Sequence, residues 1–265
     1  MFGYLLSPSR KYSGPNNGQK EINTLSRNRA AKAQKRMHQE TNTIDFNQAR
    51  PAPRRVELVP RTRNQESLVL ALQDKAQHIV VTVGPAGTGK TYLAMQAAVK
   101  ALKEEQCDRI IMTRPAVGVE GEQHGFLPGN IIAKMEPWTR PLLDVMREYY
   151  RPQDITAMLE DQVIEIAPLA YMRGRTFKNA WIIADEMQNA TPAQAKMLMT
   201  RIGSNSKIVV TGDVEQADRH SGENGLLDLV TRLNATPVNG IAVCPMTAKD
   251  VQRHAIIGSV LKLYS

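Results

Sequence analysis

The feature that most constrains this chain is a glycine-rich loop between a predicted strand and a predicted helix. The loop reads Gly84-Pro85-Ala86-Gly87-Thr88-Gly89-Lys90-Thr91 and matches the pattern G-x-x-x-x-G-K-[ST] at every fixed position. The apolar run 78–83 predicts a buried strand in front of it, and residues 91–105 predict a helix behind it. Glycines let backbone N–H groups point at phosphate oxygens, and the helix start adds partial positive charge. The loop therefore predicts a site for a nucleoside triphosphate.

Individual side chains in and beside this loop have predicted roles. Lys90 is expected to reach the β- and γ-phosphates, and the hydroxyl of Thr91 to hold Mg²⁺. Tyr92 follows directly, and we include it with residues 84–91 among the groups predicted to bind ATP. A glycine-rich turn that matches the pattern by chance is disfavoured, because strand, loop and helix are in register.

Two acids follow the apolar run 180–184, which predicts another buried strand. Asp185 at the end of that strand is expected to contact Mg²⁺, and Glu186 to polarise the water that attacks the γ-phosphate. Acidic pairs after strands are often merely solvated, but this pair accompanies a phosphate loop. The strand predicted next ends near Thr211 and Gln216, where a polar side chain can touch the γ-phosphate or the attacking water.

Apolar runs and helical patterns alternate from residue 61 onward. The predicted strands are 78–83, 109–113, 163–166, 180–184, 207–211 and 240–243. The predicted helices are 91–105, 130–150, 193–202, 223–234 and 254–263. This alternation favours an α/β fold with a parallel sheet covered by helices on both faces. We assign residues 61–265 to this domain and predict the sheet of a P-loop NTPase.

The basic charge is concentrated in the first quarter of the chain. Residues 1–63 hold 13 of the 34 lysines and arginines but only four of the 26 acids, so they account for the whole net charge of +8. We predict that residues 1–60 form a largely disordered or partly helical extension. Its charge fits either an arm that binds nucleic acid or a solubilising tail, and both interpretations remain open.

The sequence also limits the cellular compartments in which the protein is expected. No apolar run approaches the ~20 residues that span a bilayer, and the first residues lack the charged start of a secretion signal. Cys107 and Cys244 lie far apart beside apolar residues, so we expect reduced, structural thiols. These features predict a cytoplasmic protein, in a host cytoplasm if the chain is viral.

Several short motifs follow one another along the chain besides the phosphate loop. They are Arg63-Asn64-Gln65, 113–117, 125–129, 169–176, Asp185-Glu186-Met187-Gln188-Asn189, 200–203, 211–213 and 250–254. In this order they resemble the PhoH family, whose core is similar to the first motor domain of superfamily 1 helicases. The resemblance covers roughly residues 56–264. The resemblance implies a RecA-like, Mg²⁺-dependent ATPase in which Gln65 reads the adenine edge. Met187 stands where the family usually has a small residue, and no nuclease domain of the kind fused to some relatives is recognised.

The helicase likeness raises the question of a second motor domain. The residues after Gln216 are too few for one of about 100 residues, so the arginine that stabilises the transferred phosphoryl group is expected from a neighbouring copy. We therefore predict a homo-oligomer, a ring and possibly a hexamer, with sites at subunit interfaces. The candidate arginines are Arg253, which we favour because it lies in a polar motif, Arg201 and Arg175; each also fits an ordinary ion pair.

Functions of different classes remain open. The first is an ATP-hydrolysing domain coupled to single-stranded RNA or DNA, with Lys90, Glu186, Gln216 and Arg253 as catalytic residues. The second is a nucleotide-switched binding or assembly module with slow ATP turnover and no translocation. A small-molecule kinase fits less well, because an acidic pair suits the activation of water. The basic segment 173–178 can contact a nucleic-acid backbone or a neighbour's phosphate.

Overall fold

The protein folds around one parallel sheet. The computed structural model describes residues 55–115, 140, 142–216 and 224–252, and within them the strand order is β3-β2-β4-β5-β1-β6. The strands are β1 (Ile79–Val83), β2 (Arg109–Arg114), β3 (Ile164–Pro168), β4 (Ala180–Ala184), β5 (Lys207–Gly212) and β6 (Ile241–Pro245). All neighbouring pairs run parallel. The six predicted strands and the α/β class are confirmed.

Helices connect these strands. They are α1 (Arg63–Gln73), α2 (Lys90–Lys103), α3 (Pro152–Glu160), α4 (Pro192–Met199) and α5 (Gly225–Ala235), and residues 140 and 142–147 are also helical. The predictions 91–105, 193–202 and 223–234 are confirmed by α2, α4 and α5, with shifted ends. The helix predicted at 254–263 lies outside the described residues, as does the extension up to residue 54.

The other helix predictions need correction. The helix predicted over 130–150 stops at residue 147, its first part lying outside the described residues, and α3 begins after it at a helix-starting proline, Pro152. Of the residues of α3, only Ile155 is fully buried. The helix therefore has almost no apolar stripe from which the sequence could predict it. The unpredicted α1 does bury Leu68, Val69 and Leu72 on one side and is capped by the Thr62 hydroxyl.

Each face of the sheet carries its own hydrophobic core. Successive side chains of a strand point to opposite faces, and accordingly Val80 and Ile183 belong to one core while Val81 and Ile182 belong to the other. α1, α2 and α3 pack on the first face, and α4 and α5 on the second. This arrangement confirms the prediction of helices on both faces.

The strand order determines where the predicted site residues meet. β5 lies between β1 and β4 and is hydrogen-bonded to both. In the register of the sheet, Val83 at the end of β1 pairs with Gly212, and Ala184 at the end of β4 pairs with Val210. Because parallel strands end at the same edge, the loop after β1 and the acids after β4 face each other across the end of β5.

Two further expectations concern the whole fold. Cys107 and Cys244 are unpaired and buried, as predicted, and burial raises the pKa of each thiol to about 11. In the part of the chain that the structure describes, every helix is too short or too polar to cross a membrane.

Candidate nucleotide-binding site

The phosphate loop depends on backbone that only glycine tolerates. Gly84, directly after β1, has a φ of 139°, a value that L side chains rarely adopt. A β-carbon there would lie 2.3 Å from the carbonyl oxygen of Met246, which follows β6. The residue after β6 therefore packs against the start of the loop and leaves no space for a side chain at Gly84.

Lys90 begins α2, and its side chain curls back into the loop. Its ammonium donates to the carbonyl oxygens of Gly84 at 2.6 Å and Pro85 at 2.8 Å, while the residue as a whole is 8 % exposed. Phosphate oxygens are stronger, charged acceptors. When a nucleotide enters, the ammonium is therefore expected to exchange loop carbonyls for phosphate oxygens.

The two predicted metal ligands lie together at the end of β4. The Thr91 hydroxyl donates to Oδ1 of Asp185 at 2.8 Å. The hydroxyl of Thr211, on β5, donates to the same carboxylate oxygen and lies 3.5 Å from the Thr91 hydroxyl oxygen. Hydroxyl and carboxylate oxygens are the ligand types that Mg²⁺ prefers, so this group fits the predicted ion.

Glu186 occupies an unusual backbone conformation. Its φ of 55° and ψ of 39° are left-handed, which costs roughly 1–2 kcal/mol for a residue with a β-carbon. Non-glycine residues held this way concentrate at functional sites. The conformation turns the chain sharply after Asp185 and leads into a short 3₁₀ helix, Met187–Asn189.

Gln188 supports Glu186, a role that the sequence did not reveal. Its amide nitrogen donates to the Glu186 carboxylate, and its amide oxygen accepts from the backbone N–H of Asp213 at 3.1 Å. Gln188 is only 2 % exposed. A β-carbon on Gly212 would lie 2.5 Å from the Gln188 amide oxygen, so glycine at the end of β5 makes this contact possible.

These elements surround a cleft of about 250 Å³. The cleft is lined by Ala86, Gly87, Gly89, Lys90, Thr91, Tyr92, Asp185, Glu186, Gly212, Asp213 and Gln216. The structure thus brings most of the predicted site residues to one cavity. Gly84, Pro85 and Thr88 belong to the loop but do not line the cleft, and Gln216 is exposed.

Comparison with known proteins gives this cleft a family. Residues 57–265 match the family model described as PhoH-like protein. The chain belongs to the PhoH-like family. The expected resemblance is thereby confirmed. The PhoH-like family has a P-loop NTPase fold, and its members are nucleotide-binding proteins.

Its relatives come from diverse bacteria. The chain is 44 % identical over 212 residues to a PhoH-like protein of Synechocystis sp., 47 % over 207 residues to one of Mycobacterium tuberculosis H37Rv, and 38 % over 206 residues to Protein PhoH of Escherichia coli K12. These alignments cover 80 %, 78 % and 77 % of this chain but 63 %, 57 % and 57 % of the relatives. The chain therefore spans roughly three fifths of the length of the curated relatives it matches.

A solved helicase domain resembles the chain only weakly in structure. The helicase domain of Pyrococcus furiosus Hef aligns with 69 % of this chain and 38 % of its own, with 14 % identity and a TM-score of 0.40. The family assignment rests on the sequence matches and not on this likeness.

Gln65 of this PhoH-like protein lies behind the loop. It is 4 % exposed; its amide nitrogen donates to the carbonyl of Thr88 at 3.0 Å, and its amide oxygen accepts from the backbone N–H of Arg61 at 2.7 Å. It is not among the described residues that line the cleft. Its expected contact with the adenine edge stays a prediction, and making that contact requires at least one of these bonds to be exchanged.

Tyr92 links the cleft to the turn that follows the helical residues 142–147. Its hydroxyl donates to the carboxylate of Glu148 at 3.1 Å and accepts from the amide of Gln96 at 3.0 Å. Burial, together with the nearby Glu148 carboxylate, raises the pKa of Tyr92 to about 12. The phenol is therefore neutral over the whole physiological range.

Two candidate arginines are already engaged within the chain. Arg175 pairs with Glu165 through both guanidinium ends, which raises its pKa, and its guanidinium carbon lies 4.6 Å from the centroid of the Phe177 ring. Arg201 donates to the carbonyls of Met197 and Arg175. These contacts disfavour both as arginines donated to a neighbour. Arg253, the favoured candidate, lies outside the described residues.

Proposed function

We propose that this PhoH-like protein is a Mg²⁺-dependent ATPase. The observation that carries the proposal is the placement of Glu186 in the same cleft as Lys90 and the Thr91–Asp185 pair. A phosphate loop alone supports nucleotide binding. An ionisable carboxylate held in the same cleft, with the metal-ligand pair beside it, supports hydrolysis.

Thr91 and Asp185 are the residues that would hold Mg²⁺, with Thr211 orienting the Asp185 carboxylate through its hydroxyl. Bound there, the ion neutralises charge on the β- and γ-phosphates. Mg²⁺ normally keeps several waters and takes few protein ligands in nucleotide sites. A pair of protein oxygens is therefore sufficient.

The remaining chemistry belongs to Glu186 and Lys90. The carboxylate of Glu186 accepts a hydrogen bond from a water molecule and aligns it with the γ-phosphorus. A bond forms between the water oxygen and that phosphorus while the bond to the β–γ bridging oxygen breaks, so that ADP leaves and inorganic phosphate forms. The proton of the water passes to the carboxylate, and the Lys90 ammonium stabilises the charge on the phosphate oxygens.

We also propose a homo-oligomer in which a neighbouring copy completes each site. Among the described residues that line the cleft there is no arginine, and Arg175 and Arg201 are held by contacts within their own chain. An arginine directed at the γ-phosphate accelerates phosphoryl transfer by about 10³–10⁵ when supplied in trans. A ring with sites at its interfaces would supply one.

Coupling to single-stranded nucleic acid is the last part of the proposal. The turn after β3 presents Tyr171, which is 54 % exposed, and the exposed Arg173. A β-carbon on Gly174 would meet nothing within 4 Å, so the turn is open. An exposed ring two residues from an exposed guanidinium suits a stacked base and its phosphate. This turn lies two strands from β4, about 10 Å at the usual strand spacing.

Steady-state ATP turnover tests these parts together. It is measured over a range of protein concentrations, with and without a single-stranded RNA, beside Lys90→Ala as the blank. Turnover per subunit that rises with concentration supports shared sites, and stimulation by RNA supports nucleic-acid coupling. Slow turnover indifferent to both favours the switch module, and turnover no higher than that of Lys90→Ala contradicts the ATPase proposal.

A further inference from the structure

The two ends of the described domain meet behind the phosphate loop. Asn64 lies in the first turn of α1, and Asp250 ends the 3₁₀ helix Ala248–Asp250 that follows β6. The Asn64 amide nitrogen donates to the Asp250 carboxylate at 2.7 Å, across 186 residues of sequence. Asp250 is 2 % exposed and Asn64 is half-buried, so the contact is partly shielded from solvent.

Close neighbours of this pair hold consecutive peptide groups of the loop. Gln65, next to Asn64, donates its amide to the carbonyl of Thr88 at 3.0 Å. Gln252, two positions after Asp250, donates its backbone N–H to the carbonyl of Gly87 at 2.9 Å. Each end of the domain thus holds one loop carbonyl from behind.

Because the peptide bond is planar, these two hydrogen bonds also orient backbone N–H groups of the loop. In a trans peptide the C=O of one residue and the N–H of the next point in opposite directions. Anchoring the carbonyl of Gly87 therefore fixes the direction of the Thr88 N–H, and anchoring the carbonyl of Thr88 fixes that of Gly89. Backbone N–H groups of this loop are the donors that a phosphate requires.

Asp250 is suited to hold the two ends together. Burial raises the pKa of its carboxyl, but hydrogen bonds from Thr62, Asn64 and Thr247 outweigh burial and keep the pKa at about 2. The same carboxylate oxygen accepts from the Thr247 backbone N–H at 2.7 Å and from its hydroxyl at 3.0 Å. A charged acceptor makes each of these bonds stronger than a neutral one would.

We propose that Asn64 and Asp250 are positioning residues for the nucleotide: their hydrogen bond holds Gln65 and Gln252 against the loop and so orients the N–H groups that bind phosphate. The inference rests on the proposed nucleotide site and names a set of contacts that controls its affinity. Asn64 and Asp250 are not among the described residues that line the cleft, so both act through the loop.

The test measures the Kd of a fluorescent ATP analogue with Mg²⁺ present, and the KM and kcat of ATP turnover. Asn64→Ala removes the donor to the Asp250 carboxylate, and Asp250→Asn removes the charge and puts a donor in place of one acceptor oxygen. Each is expected to raise Kd and KM about tenfold, with kcat within about twofold because ground state and transition state lose the same contacts.

A matched control removes a carboxylate elsewhere. Asp228 on α5 is hydrogen-bonded to Arg232 on the exposed side of that helix, so Asp228→Asn should leave Kd unchanged. If Asp250→Asn fails to fold, Asn64→Ala still decides, since it leaves Asp250 its bonds from Thr247.

Two results would overturn the positioning role. One is an unchanged Kd in folded Asn64→Ala, and the other is a raised Kd with kcat reduced by a similar factor, the pattern of general damage and not of lost ground-state contacts. In both cases the wild type binds nucleotide and Lys90→Ala does not, so the proposed function survives. Failure of the wild type to bind any nucleotide would remove both proposals.

Discussion

The two sides of the nucleotide cleft are built from different groups. On the side of α2, the loop consists of backbone: Gly84 turns where no side chain fits, and loop carbonyls hold the Lys90 ammonium. On the side of β4 and β5, two buried side chains hold two half-buried carboxylates: Thr211 donates to Asp185, and Gln188 donates to Glu186.

The difference predicts how each side fails. A wrong β-carbon in the backbone half displaces the chain, so folding and nucleotide binding should be lost together. A changed side chain in the other half leaves the backbone in place, so chemistry should be lost while binding persists. Substitutions chosen in each half can test whether this separation is real.

The largest expected effect is on turnover, in Glu186→Gln. The amide keeps the shape of the side chain but cannot accept the proton of the water, so kcat should fall by about 10²–10⁴. The Kd for the ATP analogue should stay within about threefold, because Lys90, Thr91 and Asp185 are untouched. Single-turnover ATP cleavage and analogue binding, measured on the same preparation, give both values.

Lys90→Ala is the comparison for that variant, since it should lose binding as well as turnover. Wild-type turnover in Glu186→Gln would contradict its assignment as the base. A Kd raised as far as in Lys90→Ala would contradict the separation between the two halves.

The next largest effect is on stability, in Gly84→Ala. The new β-carbon demands a strained φ and collides with the Met246 carbonyl, which together should lower the free energy of unfolding by about 3 kcal/mol. Urea denaturation measures the change. Gly174→Ala is the matched control: its φ is 79° but its β-carbon would meet nothing within 4 Å, so it should lose only about 1 kcal/mol, the conformational term alone. Equal losses would show that contact with β6 is unimportant.

The same contrast explains what the sequence could predict. The loop from Gly84 to Thr91 is local, so its fixed spacing identified it without knowledge of the fold. The four inner strands β1, β2, β4 and β5 were predictable because apolar runs buried on both faces are continuous. Asp185 and Glu186 were identified because they directly follow one of those runs, at the end of β4.

The supporting contacts were not predictable, because they depend on tertiary proximity. Gln188 acts only because β5 lies beside β4 and brings the backbone of Asp213 to it. Asn64 and Asp250 were noticed only as parts of separate motifs, and nothing in one sequence shows that they touch. α3 was missed for a simpler reason, since it buries a single residue completely.

A smaller effect is expected for Gln188→Glu. The carboxylate can still accept from the Asp213 N–H, but it no longer donates to Glu186 and places a like charge beside it. Repulsion between the two carboxylates should turn Glu186 away from the water, so kcat should fall about tenfold while the Kd for the ATP analogue stays within about threefold.

Binding of the ATP analogue distinguishes this mechanism from general damage. Damage to the fold would lower kcat and raise Kd as well. A wild-type kcat in Gln188→Glu would show that Gln188 does not position the carboxylate.

The smallest effect is expected for Tyr92→Phe, which sharpens the contrast inside the loop half. The variant keeps the ring at the cleft and removes only the hydroxyl that contacts Glu148 and Gln96. Tyr92 is 42 % exposed, so water can replace these bonds and the Kd should change by less than about threefold.

Because burial and Glu148 raise the phenol pKa to about 12, the folded state holds its proton above the ordinary pKa of about 10. The stability that the neutral phenol contributes is complete below pH 10 and is lost as the pH rises toward 12. The free energies of unfolding of the wild type and Tyr92→Phe should therefore converge there. A tenfold loss of affinity at neutral pH would instead mean that the hydroxyl, and not only the backbone, sets nucleotide binding on this side of the cleft.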